Sequence, residues 1–410
     1  MNVLVLTQYF WPENFRINAI VQTLVEKGIG IEVLTGKPNY PEGSIYPGYQ
    51  MWGCQYESKF GAAIHRIPLL ARGKSAWRLG LNYLCFITSG LLFAPWQLRK
   101  KHFDVIFVYA PSPILQAIPA LFLGWLKKAP VIIWVQDLWP ESLSATGYVH
   151  NSWLLGCVRQ TVRFIYRHTD LLLVQSRGFK EPVSSLASGT PVIYYPNSVD
   201  DTFTATSTTR FIPDLAGLDG KFVVMFTGNI GIAQAVEVIV EAADFLKEYA
   251  EIHFVILGIG SRWQWMNQEV QKRELTNVHL LGRFAVETMP GFMQRASALL
   301  VTLSNQEIFA ATVPSKIQAY MAAGRPILAC LNGEGARLVT EAEAGLSIPA
   351  ENVKALADAI LHLYGMMPEQ REKFGSNGRR YYQEHFDHNR LVDQLIGHFL
   401  TTLDHRNKPQ

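Results

Sequence analysis

The chain has 410 residues, 49% of them hydrophobic and 12% aromatic, with 17% charged side chains against a usual ~25%. Two domains with sizeable cores fit that length and composition, whereas a disordered chain, a coiled coil and a small disulfide scaffold do not. A net charge of +3 conceals +7 over residues 1–200 and −4 over residues 201–410, and residues 58–136 carry ten cations against one acid, Asp104, so an anionic partner is expected there.

MNVLVLTQYF lacks a basic leader segment, so its apolar run is read as the first strand of a cytoplasmic protein. Val3–Thr7 is a predicted strand. Ile17, Ile20, Val21, Leu24 and Val25 then recur at helical spacing before Gly28, a natural C-terminal cap, with Asn14 the expected N-cap of that helix. Ile31–Thr35 is the next strand. Leu79–Leu98 follows, twenty uncharged residues between Arg78 and Arg99-Lys100-Lys101, long enough to span a bilayer. Asn82, Thr88, Ser89 and Gln97 interrupt it and Pro95 sits near its end, so a helix lying on an anionic membrane surface competes about evenly with a buried core helix.

Val105–Tyr109, Val131–Val135, Leu171–Val174 and Val192–Tyr195 are near-continuously apolar, as strands of a parallel sheet covered on both faces should be. Residues 200–220, rich in Thr, Ser, Asp and Gly, read as a linker. A second series follows: strands at Phe222–Thr227, Phe254–Leu257, Val278–Leu281, Leu299–Leu303 and Ile327–Cys330, a helical pattern through Val236, Ile239, Val240, Ala243 and Leu246, and a helical tail from Val353. The fold class is α/β, with two doubly wound domains. Cys54, Cys85, Cys157 and Cys330 form no CxxC pair, which fits a reducing compartment and argues against zinc.

Ligands of open α/β sheets bind beyond the carboxyl ends of the strands, which directs attention to three loops. The first, Gln8–Arg16, places Glu13 and Arg16 near a helix start. The second, Thr227-Gly228-Asn229-Ile230-Gly231, has two glycines that let a phosphate approach the backbone, and Gly258-Ile259-Gly260 repeats the theme. The third, Phe309–Ile327, opens a helix with Val313-Pro314-Ser315-Lys316. A lysine in a first turn opposes the helix dipole unless an anion is near, so Lys316 is the candidate phosphate cation. No Asp-x-Asp and no metal-ligand spacing occur, so no metal is expected and the charge of a leaving group falls to dipoles and cations.

The motifs YFWPEN (residues 9–14), KPNYPEG (37–43), WVQDLWPES (134–142), YPNSVDDTF (195–203), TGNIG (227–231) and VPSKIQAYMAAGRPI (313–327) together resemble the retaining GT-B glycosyltransferases of family 4. Within that family the nearest likeness is to the WbuB-type N-acetyl-L-fucosaminyltransferase subgroup of O-antigen and capsule synthesis. The resemblance implies two Rossmann-like domains facing across a cleft: residues 1–205 binding acceptor and membrane, residues 215–385 binding a UDP-sugar, and a helix at 386–410 returning to the first domain. It implies transfer of an N-acetylated deoxy sugar from UDP to an undecaprenyl-diphosphate-linked saccharide at the inner membrane face, without cofactor or nucleic acid.

Under that reading Lys316, Asp137 and Glu13 are the catalytic candidates. Gly228, Asn229, Gly231, Gly258, Gly260, Arg283, Glu307, Thr312 and Ser315 would contact the donor, and Arg16 and Asn197 the acceptor. The chain departs from the family where Asn229 and Gln234 replace an arginine and a lysine, Ala311 and Ala319 replace two glutamates, and Gln136 replaces the histidine before Asp137. A sugar-nucleotide epimerase of the same architecture and a catalytically silent assembly partner are the competing readings.

Overall fold

The computed structural model describes every residue except Lys74, 146–150, 200–212 and 408–410. The chain divides into two units, one formed by Met1–Pro196 with Asn389–Gln410 and the other by Asn197–His388. The linker expected at 200–220 lies mostly outside the described residues, and its end is a 3-10 turn at Pro213–Leu218.

Unit 1 contains β1 (Asn2–Leu6), α1 (Ile17–Glu26), β2 (Gly30–Thr35), β3 (Gln55–Lys59), β4 (Ala62–Arg66), α2 (Ala76–Gln97), β5 (Val105–Ala110), α3 (Ile118–Lys127), β6 (Val131–Val135), α4 (Glu141–Ala145), α5 (Ser152–Arg167), β7 (Leu171–Val174), α6 (Lys180–Ala187) and β8 (Val192–Tyr194). The sheet order is β3-β4-β2-β1-β5-β6-β7-β8, parallel except for the antiparallel edge pair β3–β4. β5, β6 and β7 are wholly buried, which is why their residues are continuously apolar. The edge pair was not anticipated: QYESK alternates half-buried with exposed residues and carries two charges.

Unit 2 contains β9 (Phe222–Thr227), α7 (Glu237–Phe245), β10 (Ile252–Leu257), α8 (Trp263–Lys272), β11 (Val278–Gly282), α9 (Met289–Arg295), β12 (Ala298–Thr302), α10 (Glu307–Ala311), α11 (Ser315–Ala323), β13 (Ile327–Cys330), α12 (Glu334–Glu341), β14 (Gly345–Ile348), α13 (Val353–Gly365) and α14 (Pro368–His385). Its parallel sheet runs β11-β10-β9-β12-β13-β14, with an apolar cluster on each face. α15 (His388–Asn407) leaves unit 2 and packs on unit 1, where Leu391, Val392, Leu395 and Phe399 join the core of Phe107 and Trp134.

In each sheet the connections reverse direction at one place, between β1 and β5 in unit 1 and between β9 and β12 in unit 2. The crevices beyond these strands are where an open sheet takes its ligand.

Candidate active site

In unit 2 the loop at the reversal begins with Gly228, held at φ +112°, a conformation that a side chain rarely tolerates. A Cβ at Gly228 would come 2.8 Å from the Lys316 Cε, and one at Gly258 would come 1.8 Å from the Gly228 carbonyl oxygen. The two glycine turns therefore press backbone on backbone. The Gly228 amide donates to the Leu257 carbonyl (2.7 Å), and the Ile230 amide to that of Ile259 (3.1 Å). Gly258 and Gly260 are thus glycines because of the neighbouring turn, a packing reason independent of any ligand.

α11 is fixed against these turns by Tyr320, which sequence reasoning did not single out. Its buried hydroxyl accepts from the Thr227 amide (3.0 Å), lies 3.1 Å from the Thr227 hydroxyl and donates to the Leu300 carbonyl (3.3 Å). Lys316 sits one helical turn earlier on the same face, so this anchor sets its position under Gly228. The Lys316 Nζ is buried 3.7 Å from the centroid of the Phe226 ring and has no hydrogen-bond partner among the described residues. Burial pulls its pKa from the usual lysine range down to about 7. An amine whose charge burial weakens, with unused donors, at the start of a nine-residue helix whose dipole also favours anions, is prepared for a phosphate.

The other donor-side candidates are arranged less uniformly. Asn229 donates to the Gln234 side-chain oxygen (3.1 Å), which also accepts from the Gly231 amide (3.1 Å), so these two polar residues satisfy each other and the turn. Ser315, Arg283 and Glu307 are exposed. The Thr312 hydroxyl is turned back onto the Ile308 carbonyl (2.9 Å). Ala319 lies in the core.

In unit 1 Glu13 is almost completely buried, and its carboxylate accepts from the amides of Phe10 (3.2 Å), Asn39 (2.8 Å) and Tyr40 (2.7 Å). Burial pushes its pKa up to about 7 although these three donors favour the ionised form. Glu13 thereby joins the loop after β1 to the loop after β2. Asn14, expected to cap α1, is exposed, and the cap position falls to Arg16, whose side chain makes no capping bond to the helix. Asn18 instead reaches back, accepting from the Trp11 amide (3.0 Å) and donating to the Glu13 carbonyl (2.8 Å). Buried Arg66 crosses the same region, donating to the Gly36 and Trp11 carbonyls and to Glu57.

Asp137, just beyond the carboxyl end of β6, and Arg16, at the start of α1, each act electrostatically on the buried Tyr109 hydroxyl of β5. Burial raises the Asp137 pKa to about 7. Asn197 is the first residue of unit 2, and its buried Oδ1 has no partner among the described residues.

The apolar stretch of the sequence is α2, beginning at Ala76 rather than Leu79. One of its faces belongs to the domain. Asn82 accepts from Gln8 (2.6 Å) and donates to the Leu70 carbonyl (2.5 Å), while a Cβ at Gly90 would meet Pro119 of α3 at 2.7 Å. Lys127, counted among the cations available to an anionic partner, is otherwise engaged: its Nζ donates to the carbonyls of Leu98 (2.6 Å), Arg99 (3.3 Å) and Lys101 (2.9 Å), closing the end of α2.

Comparison with known proteins agrees with this architecture. Residues 14–197 match the family described as a glycosyl transferase 4-like domain, and residues 221–366 the family of glycosyl transferases group 1. The solved structures that the fold resembles include sucrose-phosphate synthase from Thermosynechococcus elongatus (TM-score 0.77, 15% identity, 98% of this chain and 99% of that one). HepE of Anabaena in complex with UDP is another (TM-score 0.69, 13% identity, 98% and 100%). The protein is a glycosyltransferase of GT-B fold, whose first domain matches the 4-like model and whose second matches the group 1 model.

Among its curated relatives is WcaI of Escherichia coli K12, whose name assigns it to colanic acid biosynthesis (24% identity over 74% of this chain and 76% of the relative). The O-antigen chain mannosyltransferase C of Escherichia coli is 23% identical over 45% of this chain and 47% of its own length.

Proposed function

We propose that the protein is a retaining, metal-independent transferase of surface-polysaccharide synthesis. It moves an N-acetylated deoxy sugar, such as N-acetyl-L-fucosamine, from UDP to a saccharide carried on a lipid diphosphate. The observation that carries this reading is Lys316, whose buried Nζ at the sheet reversal of unit 2 has no hydrogen-bond partner among the described residues. A departing nucleoside diphosphate gains negative charge as the glycosidic bond breaks. A dipole and a cation already fixed in place stabilise that charge without reorganising. Diphosphate binding also restores the full charge that burial withholds from Lys316.

Support for UDP comes from two neighbours: HepE was solved with UDP, and a trehalose-6-phosphate structure from E. coli (TM-score 0.73, 13% identity) with UDP-2-fluoro glucose. Support for the polysaccharide acceptor comes from the names of WcaI and the O-antigen mannosyltransferase. In unit 1, Asp137 has a pKa matched to taking a proton from an acceptor hydroxyl near neutrality. Glu13 holds the surrounding loops, and Arg16 and Asn197 contact the acceptor. The lipid carrier accounts for α2, which is anchored in the domain on one face and bares Leu92 (73% exposed) and Trp96 on the other. The enzyme works at the cytoplasmic face of the membrane, in the manner of the WbuB-type subgroup.

The test is thermal stabilisation by UDP, GDP, dTDP and ADP, followed by turnover of UDP-N-acetyl sugars with a lipid-diphosphate acceptor. A shift selective for UDP and retention of anomeric configuration are expected. Selectivity for another nucleotide overturns the donor assignment, epimerisation without acceptor overturns the reaction, and nucleotide binding without turnover on any pair makes the protein a silent partner.

A further inference from the structure

The membrane-facing side of unit 1 is wider than the helix that suggested it. Along α2 the exposed residues Trp77, Leu81, Leu84, Thr88, Leu92 and Trp96 recur every three or four positions and form one stripe, apolar except at Thr88. The opposite stripe, through Asn82, Phe86, Ser89, Gly90 and Ala94, is buried. α3 lies against α2 at the Gly90–Pro119 contact, and its Lys127 is fastened to the last carbonyls of α2. That fastening sets the preceding residues, Trp125 and Leu126, beside the end of α2. Trp125 is 74% exposed and stacks with Phe122, ring centroids 6.0 Å apart.

Neither helix contains an acidic residue. Of the cations around them, Lys127 is used on α2 and Lys101 pairs with Glu32 (2.8 Å). Arg78, Arg99, Lys100 and Lys128 remain exposed, with Arg78 over the Trp77 ring and Arg99 over that of Trp96. We infer that α2 and α3 form a single plate that seats in an anionic bilayer surface, with the Phe122–Trp125–Leu126 edge of α3 entering the headgroup boundary beside the α2 stripe. This rests on the membrane part of the proposed function and extends it to a second helix.

Charge decides between a bilayer and a second copy of the chain. Two copies meeting at this face would bring the same cations together with no acid on either helix to offset them, whereas an anionic headgroup layer complements all of them. Indole rings with a polar edge suit the boundary between headgroups and acyl chains.

The experiment is flotation of the full chain with phosphatidylcholine vesicles, with and without phosphatidylglycerol. It compares the wild type, the pair Phe122→Ala/Trp125→Ala and the α2 variant Leu92→Ala, each checked for an unchanged Tm and an unchanged thermal shift with UDP. Wild type is expected to float with the anionic vesicles and to release at high salt. The α3 pair is expected to lose at least roughly tenfold in partitioning, about 1.4 kcal/mol. If the wild type floats with neither vesicle, the membrane reading fails and this inference with it. If wild type floats and the α3 pair floats equally well while Leu92→Ala does not, the reading stands and the two-helix plate is overturned. A change in sedimentation from dimer to monomer in the α3 pair, without loss of flotation, assigns the face to a second copy and overturns the plate as well.

Discussion

At the end of β1 a buried carboxylate receives three backbone amides and ties two loops together, whereas at the end of β9 two glycines let backbone pack on backbone and leave a lysine without a partner. The first arrangement is satisfied from within, because both Glu13 carboxylate oxygens accept backbone amides of the same domain. The second is incomplete, since Lys316 gives up solvation and receives, among the described residues, only an aromatic ring in exchange. A buried polar group left unsatisfied costs free energy, and the fold keeps this one where a nucleotide diphosphate would satisfy it. Function is therefore read from the unmet need in unit 2, while the buried carboxylate of unit 1 reports first on architecture.

The largest test removes that need. Lys316→Ala is expected to lower transfer by roughly 10²–10³, or about 3–4 kcal/mol, with little change in Tm, as for loss of one fixed donor to a developing anion. A kcat/KM near that of wild type would break the contrast between the two sites. The pH dependence sharpens it. Because the Lys316 pKa is lowered to about 7, the free enzyme loses this charge as pH rises through 7. Nucleotide affinity should then weaken above pH 7, by at most about tenfold per pH unit, and Lys316→Met should show a flat titration over the same range by calorimetry.

Glu13→Gln is expected to act on stability more than on chemistry. An amide in place of one carboxylate oxygen leaves at least one of the Phe10, Asn39 and Tyr40 amides facing a donor, a loss of roughly 1–3 kcal/mol by chemical denaturation. A variant of unchanged stability but abolished turnover would move Glu13 from holding loops to handling a proton.

Asp137 separates from Glu13 by its pH signature. Its folded pKa is raised, so the stability it contributes is present in acid and disappears as pH climbs from its ordinary value near 3.8 to about 7. Relative to Asp137→Asn, the wild type should gain on the order of 4 kcal/mol as pH is lowered from 8 to 4. A difference that does not vary with pH would mean that Asp137 is not held neutral by burial.

How far the amino-acid order foretold these features depends on how local their causes are. Central strands such as Val131–Val135 are legible because burial on both faces demands an unbroken apolar run. β3 and the short β14 carry no such run, being half exposed at the sheet edges. Gly228 and Lys316 stand in recognisable turns, so each could be found by itself. Their contact could not, because Tyr320 makes it through a hydrogen bond to Thr227 across 93 positions. The same holds for Arg66, whose bonds to Gly36 and Trp11 join loops far apart in the chain. Asn14 is a reasonable cap by residue type, but the entry into α1 is ordered instead by Asn18 inside the helix, which satisfies the Trp11 amide and the Glu13 carbonyl of the preceding loop at once.

The smallest expected effect concerns what unit 2 lacks. Asn229 and Gln234 form a neutral pair at the first glycine turn, where the family resemblance places an arginine and a lysine. In Asn229→Arg/Gln234→Lys the new cations would stand at the edge of the turn in contact with solvent, where an ion pair is screened and contributes only about 0.2–1 kcal/mol. The double variant should therefore tighten UDP binding no more than roughly fivefold at low salt, and the gain should fade as salt is raised. Against it stands the loss of the Gln234 bond to the Gly231 amide, which orders the turn in the absence of ligand. A gain of a hundredfold or more would mean that the turn, and not Lys316, is where diphosphate charge is chiefly met, and the contrast between a completed and an uncompleted site would have to be redrawn around Asn229.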